Sequence, residues 1–399
     1  MSMKNEERLT TDEWLAKVAS AGKSVELAAV EADRARRLSD ATMNVLHKDL
    51  LMRLLVPLEV GGVEMPLPQF VSVIEELAKY DGSAAWCVCQ GNACAMLATY
   101  LELSLTEIIW KNDARAVLSW GPGKAEAKAV TGGYEITADT SFASGSHHAT
   151  WFAAHCSVVE DDGTPRLDGD GVQENRTALF PASEAELGDD WDVVGLRGTG
   201  SDGFVVKDLF VPDDHTIVRA KMISEVDIRT SLHGLPQMAV YASGFSAVAL
   251  GIARGFLDAF TRLAQEKIPR GVQRRLSDNP AVQDEVARAE ARLSGARAFL
   301  FDEVNQGWKE VAQNNDMSVQ ARMRIRLAGT HAIHEAKAVV DTLFDTAGTS
   351  AVLASSPFER RFRDIHAVAL QIQARKQHYQ TYGGWMMGNE VNATNMTVI

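Results

Sequence analysis

The sequence predicts an α+β, mainly α fold in three parts: an N-terminal helical domain over residues 1–112, a central β-domain over 113–225 and a C-terminal four-helix bundle over 226–399. Three observations carry this. Up to about Asn112 apolar residues recur at intervals of three and four, the spacing that lines one face of a helix. From about Ala114 to Val218 the chain breaks into short β-rich runs separated by Gly, Asp and Pro clusters, the chemistry of strands and turns. From about Leu232 helical periodicity returns in four long segments.

The first helical stretch, TTDEWLAKVASAGKSVELAAVEADRARRLS, opens on a Thr-rich acidic start signal. VPLEVGGVEMPLP interrupts it, because Pro57, Gly61, Gly62, Pro66 and Pro68 forbid a continuous helix. Helical signals resume in QFVSVIEELAKYDGSAAWCVCQGNACAMLATYL. The β-runs are ARAVLSW, GGYEITADTSFAS, WFAAHCSVV, RTALFP and GFVVKDLFVP. Four segments of roughly seven to nine turns follow, the last being PFERRFRDIHAVALQIQARKQHYQTYGGWMMG, and they read as an antiparallel bundle.

Composition narrows the function classes. With 46% hydrophobic and 23% charged residues over 399 positions, the chain has the make-up of a folded globular protein large enough for two or three units. A formal net charge of −13 gives no basic field for nucleic acid or an anionic membrane. No apolar run reaches the ~20 residues that span a bilayer, and MSMKNEERLTTDEWLAK carries no apolar leader segment. The expected address is the cytoplasm. Cys87, Cys89, Cys94 and Cys156 are too few for a disulfide scaffold and fit no zinc spacing, so core packing is expected of them. His331 and His334 share a helix face with Glu335 but have no further ligand set, so no metal site is expected.

Five passages, in order, carry a resemblance: DGSAAW (Asp81 to Trp86), GGYEITADTSFASGSHHATW (Gly132 to Trp151), WDVVGLRGTGSDGFVVKDLFVP (Trp191 to Pro212), VALGIARGFLDAF (Val248 to Phe260) and AGTSAVLASSPFERRFRDIHA (Ala347 to Ala367). Over nearly its whole length the chain resembles the acyl-CoA dehydrogenase superfamily, in particular the oxygenase components of two-component flavin monooxygenases such as 4-hydroxyphenylacetate hydroxylases and dibenzothiophene monooxygenase. The resemblance implies that fold with a barrel-like central β-domain, reduced flavin (FAD or FMN) as cofactor, a small organic substrate, a separate flavin reductase and a homotetramer.

It also implies site residues. The Phe142-Ala143-Ser144 turn is expected against the isoalloxazine ring, with Ser144 offering a hydroxyl near the N5 edge and Phe142 an apolar wall; a plain strand end is the other reading. The backbone of Ser119 and Trp120 is expected at the pyrimidine edge. Arg270 is expected on the flavin phosphate, a solvated loop being the other reading, Gly348 and Thr349 are also expected on the cofactor, and Asn92, Cys94, His233 and Tyr241 around the substrate. Arg197 to Ser201 reads as structural. The family's R-x-x-F-G string is replaced by IPRGVQRRLSDNP, which leaves FAD against FMN open.

The histidines depart from the family pattern. Aligning on Arg363-Asp364 puts Gln371 where many members carry a histidine, and an amide donates hydrogen bonds but takes no proton. His148 and His366 remain candidate catalytic histidines, while on an unbroken helix His366 faces elsewhere and His378 lies about 10 Å along the axis. The dehydrogenase branch needs a carboxylate base, and neither Gln371-Ile372-Gln373 nor Tyr241 supplies one. A monooxygenase is therefore the leading expectation, a dehydrogenase or oxidase the second, and a non-catalytic paralogue the third.

Overall fold

The computed structural model describes residues 9–218 and 230–390; the expected domain limits at residues 1, 225/226 and 399 lie outside them. The chain opens on α1 (Thr11–Ala35). Here Glu13 N–H donates to Thr10 Oγ1 at 3.3 Å and Glu13 Oε2 accepts from the Thr10 amide at 2.8 Å, so two amides at the helix start are satisfied reciprocally. After α2 (Asp40–Lys48) the Pro/Gly passage forms two 3-10 turns, Leu51–Arg53 and Leu58–Val60. The buried Arg53 guanidinium binds them, donating to the carbonyls of Val60, Gly61, Trp110 and Asp113. Then come α3 (Leu67–Ala78), α4 (Gly82–Ala95) and the short α5 (Leu103–Thr106). Asp81 caps α4 by accepting from the Ala84 amide at 2.7 Å.

Among the described residues eight strands follow: β1 (Leu118–Ser119), β2 (Gly123–Val130), β3 (Gly133–Thr140), β4 (Trp151–Val159), β5 (Asn175–Pro181), β6 (Glu186–Leu187), β7 (Phe204–Pro212) and β8 (Thr216–Val218). They pair in the order β6-β7-β3-β2-β4-β5-β8, with β1 alongside β4. Phe204 of β7 stacks on Phe152 of β4 at 4.2 Å and meets Phe180 of β5 edge-on at 6.0 Å. β7 and β5 are four places apart in the sheet, about 19 Å if it were flat. The sheet therefore curls around these rings, which gives the barrel-like form.

The bundle is built on α6 (Gln237–Glu266), α7 (Pro280–Asn314) and α8 (Val319–Ala347). Although α6 is long and apolar enough to cross a membrane, 89% of its most apolar window is buried inside the fold, so its apolarity serves the core. Glycines let it approach its neighbours closely: a Cβ at Gly251 would stand 2.2 Å from the Glu75 carbonyl oxygen of α3, and one at Gly255 2.5 Å from that of Lys79.

The fourth segment departs from expectation. It is two helices, α9 (Glu359–Val368) and α10 (Gln377–Met386), with a 3-10 turn at Ile372–Ala374 between them. The cause is tertiary. Thr330 and His334 of α8 take the carbonyls of Gln373 and Ala374 at 2.8 and 2.9 Å, and the Gln371 side chain accepts from the Gln373 amide at 2.9 Å. Backbone groups needed for a continuing helix are thus bound sideways, and register arguments across residues 366–378 fail.

Candidate functional site

Four elements converge at the end of β3. The chain leaves that strand through Phe142, held at φ 54°, and Gly145 at φ 76°. Gly145 needs no Cβ in this left-handed region, whereas Phe142 carries strain there. The turn is stitched to the loop before β7: the Gly145 amide donates to Thr199 O, and Ser146 Oγ to Gly200 O, each at 2.9 Å. The Ser119 hydroxyl at the end of β1 donates to Ser144 O at 3.0 Å. α4 supplies Trp86, whose indole N–H donates to Ser144 Oγ at 3.0 Å.

The Trp86 ring also faces the bundle. It stacks on Phe245 of α6 at 3.9 Å, and Phe245 stacks on Tyr241 at 5.6 Å. Aromatic pairs contribute about 0.5–1.5 kcal/mol each beyond their burial. The ladder ends on a soft polar group: Tyr241 Oη lies 3.9 Å from Cys94 Sγ, which accepts from Gln90 Nε2 at 3.3 Å. Burial pushes the Cys94 thiol up to about 12 and the Tyr241 hydroxyl well above its ordinary range, so both are neutral at physiological pH.

Phe142 is 63% exposed beside this cluster, with its ring edge-on to Trp191 at 5.7 Å. A large aromatic ring left in solvent next to a half-buried serine hydroxyl and stacked rings makes a surface suited to a flat heterocycle, and the residues present fit a flavin ring. Ala143 is fully buried and fixes the turn from below.

Other expected residues are placed differently. Asn92 is wholly buried, with Oδ1 accepting from the Leu55 amide and Nδ2 donating to the carbonyls of Leu51 and Val88; it clamps the turn at Leu51–Arg53 and does not face a ligand. His366 donates from Nδ1 to Phe362 O and meets Asp341 of α8 through Nε2 at 3.2 Å, so it is a contact between helices. The charge state of His148 is set mainly by its own burial and then by the field of His147, of Asp40 and His47 on α2, and of Arg37 just before that helix. The Trp120 amide faces the Cys94 sulfur, and its ring is edge-on to His155 at 5.1 Å. His233 is buried, with Nδ1 3.2 Å from Asn315 Nδ2.

Gln371 caps the turn after α9, and its Nε2 is buried without a hydrogen-bond partner among the described residues. Thr330 touches that turn, and the adjacent Gly329 approaches Ala242 and Ser246, so Gln371 lies at about the level of Phe245 along α6. Arg270, Gly348 and Thr349 gather elsewhere. Lys267 Nζ donates to Ala347 O at 2.8 Å, joining their loops past the end of α6, about 30 Å along the helix from Phe245. Sequence reading passed over Trp86, Phe245 and Ser201 as site residues; all three stand in or beside the passages that carry the resemblance, which was the available signal.

His148 gives a test of its own. Burial, aided by His147, pushes its pKa down to about 4 from an ordinary 6.5. The unfolded chain takes the proton first, so this stability is full above pH 6.5 and is lost as pH falls toward 4. His148→Gln is expected to reduce the drop in thermal midpoint between pH 7 and pH 5, and an unchanged drop would show that the ring titrates normally.

Residues 243–376 match the family described as acyl-CoA dehydrogenase, C-terminal domain. The chain is 31% identical over 362 residues to an indole-3-acetate monooxygenase of Pseudomonas putida, covering 90% of each chain. It is 27% identical to a flavin-dependent monooxygenase oxygenase subunit of Rhodococcus jostii, covering 85% of this chain and 88% of that one. The crystal structure of a 3-HSA hydroxylase from Rhodococcus sp. RHA1 superposes with a TM-score of 0.87 at 25% identity, over 97% of this chain and 99% of that one. That 31% identity, spread over 90% of each chain, shows that the chain belongs to the oxygenase branch of the acyl-CoA dehydrogenase superfamily and is a flavin-dependent monooxygenase that uses reduced flavin and O₂ on a small organic substrate.

Proposed function

We propose that the substrate is a planar aromatic of one or two rings, bound beside the Ser144 turn and against the ladder of Trp86, Phe245 and Tyr241. The observation that carries this is the Trp86 indole, which stacks on Phe245 at 3.9 Å while donating to Ser144 Oγ at 3.0 Å, so that one residue joins the ring-binding turn to an aromatic wall. Indoles are the first compounds to test, given the relative named an indole-3-acetate monooxygenase.

In this reading Phe142, Ala143 and Ser144 back the flavin ring, with Ser119 beside it. When bound, reduced flavin supplies the two electrons that split O₂, one oxygen atom entering the substrate and the other leaving as water. The chain's own groups do the rest. The aromatic ladder orients the substrate and excludes water. The unpartnered Gln371 amide is a donor for a substrate or oxygen atom and takes no proton. Among the described residues the buried acid of α9, Asp364, does not replace the dehydrogenase base, since it accepts from the Leu196 amide at 2.6 Å and faces Arg360.

Arg270, Gly348 and Thr349 are too far from the Ser144 turn to serve the same ring, and are assigned to the cofactor of another protomer in a homotetramer. The exposed apolar side chains of Val352, Leu353, Leu370, Met386 and Met387 supply surface for that association. A separate reductase in the same cytoplasm delivers the flavin. Sedimentation should give four chains, and a single-chain species would remove the tetramer. Supplied with reduced flavin, the protein should consume O₂ and form hydroxylated product with an indole or phenol and not with an acyl-CoA; turnover of the thioester would reverse the assignment.

A further inference from the structure

The hydroxyl hydrogens around Ser144 are committed in one direction. Thr199 Oγ1 donates to Leu196 O at 2.8 Å, which uses its only proton. The 2.7 Å contact between Thr199 Oγ1 and Ser201 Oγ must then run from Ser201 to Thr199. That uses the Ser201 proton, so the 2.7 Å contact between Ser144 Oγ and Ser201 Oγ must run from Ser144 to Ser201. Trp86 Nε1, which can only donate, fills one lone pair of Ser144 Oγ. Thr199 and Ser201 are buried from solvent, so water does not compete for these bonds.

The chain therefore runs from Trp86 through Ser144, Ser201 and Thr199 to the Leu196 carbonyl. What Ser144 has left for a ligand is a lone pair: it is an acceptor and not a donor.

We infer that Ser201 and Thr199 are positioning residues that hold Ser144 as a hydrogen-bond acceptor and so make the site prefer reduced over oxidised flavin. The inference rests on the proposed placement of Ser144 against the flavin ring. Reduced flavin carries a hydrogen on N5 and donates from it, whereas oxidised flavin presents a lone pair there. A fixed acceptor is satisfied by the first and opposes two lone pairs with the second. A monooxygenase component fed by a separate reductase needs this preference, since spent flavin must leave and fresh reduced flavin must enter.

The same logic predicts what releasing the relay does. In Ser201→Ala the Ser144 proton loses its acceptor and is free to turn outward toward an N5 lone pair. In Thr199→Val the Ser201 proton is freed and can point back at Ser144, reversing the chain with the same result. Thr199→Ser keeps a hydroxyl in place and preserves the direction.

The experiment measures dissociation constants for oxidised FAD and FMN in air, and for the reduced forms under anaerobic conditions, by titrating the purified full chain. The readout is the ratio of the two constants, which loss of fold alone does not move in a fixed sense. In both Ser201→Ala and Thr199→Val the preference for reduced flavin is expected to fall about tenfold, the exchange of one hydrogen bond of about 1.4 kcal/mol, with oxidised flavin binding more tightly than in wild type. Thr199→Ser should match wild type. Ser144→Ala separates the two ideas. If it leaves both affinities unchanged, Ser144 is not on the ring and the underlying placement fails. If it weakens reduced-flavin binding while Ser201→Ala and Thr199→Val keep the wild-type ratio, Ser144 is on the ring but the relay does not orient it, and the inference is overturned.

Discussion

Arg360→Ala is expected to destabilise the protein by about 3–5 kcal/mol, the cost of removing one partner from a buried ion pair and stranding the other. Arg360 donates to Asp81 Oδ2, and their side chains are only 13% and 2% exposed. Asp81 also caps α4, and Asp364 lies beside the pair, accepting from the Leu196 amide. One guanidinium thus offsets two buried carboxyl groups that join α4, α9 and the loop leading to Thr199. Even with Arg360 present, burial raises the Asp364 pKa to about 7, while Arg360 pulls it down and Asp81 pushes it up.

The pH dependence follows with a definite sign. Because the folded pKa of Asp364 is above its ordinary 3.8, its contribution to stability is full below pH 3.8 and is lost as pH rises to about 7. Removing the guanidinium takes away the stabilisation of the charged form, so the Arg360→Ala penalty should be larger at pH 8 than at pH 5. Urea unfolding midpoints at the two pH values measure this. A penalty below about 1 kcal/mol, the worth of an exposed pair, or one independent of pH, would show that the cluster is hydrated. Adding Asp81→Asn to the variant should recover part of the loss.

How much of this was legible in the sequence depends on whether the cause was local. The start of α1 could be read because Thr10 and Glu13 satisfy each other within one turn. The β-region could be read because its turns carry their own Gly, Asp and Pro chemistry. The break after α9 could not, since Asp364 to Gln377 keeps helical periodicity and the groups that capture its carbonyls, Thr330 and His334, lie about forty residues away. Asn92 is expected at the substrate because it occupies the neighbourhood in which a family histidine follows the DGSxAW passage, and only the Leu51 and Leu55 backbone shows that it is a clamp. Ser144 was named from its passage. Its orientation depends on Ser201, 57 residues later, and Trp86, 58 residues earlier, which no local pattern encodes.

Trp86 is where fold and chemistry meet, and its replacement separates them. Trp86→Ala removes both the stack on Phe245 and the indole donor to Ser144. Truncating a buried aromatic costs about 3–5 kcal/mol; Trp86 is only partly buried, so about 2–4 kcal/mol is expected. The ring's loss opens the wall between the Ser144 turn and α6 to water. Product formed per O₂ consumed should therefore collapse, with the consumed oxygen appearing as hydrogen peroxide. Trp86→Phe keeps an aromatic face for Phe245 but has no N–H, leaving a lone pair of Ser144 unfilled. This variant should lose only about 0.5–1.5 kcal/mol of stability and should retain most of the coupling, because Ser144 still donates to Ser201. Equal uncoupling in the two variants would assign the function of Trp86 to its N–H rather than its ring. Full coupling in Trp86→Ala would remove the aromatic ladder from the substrate site altogether.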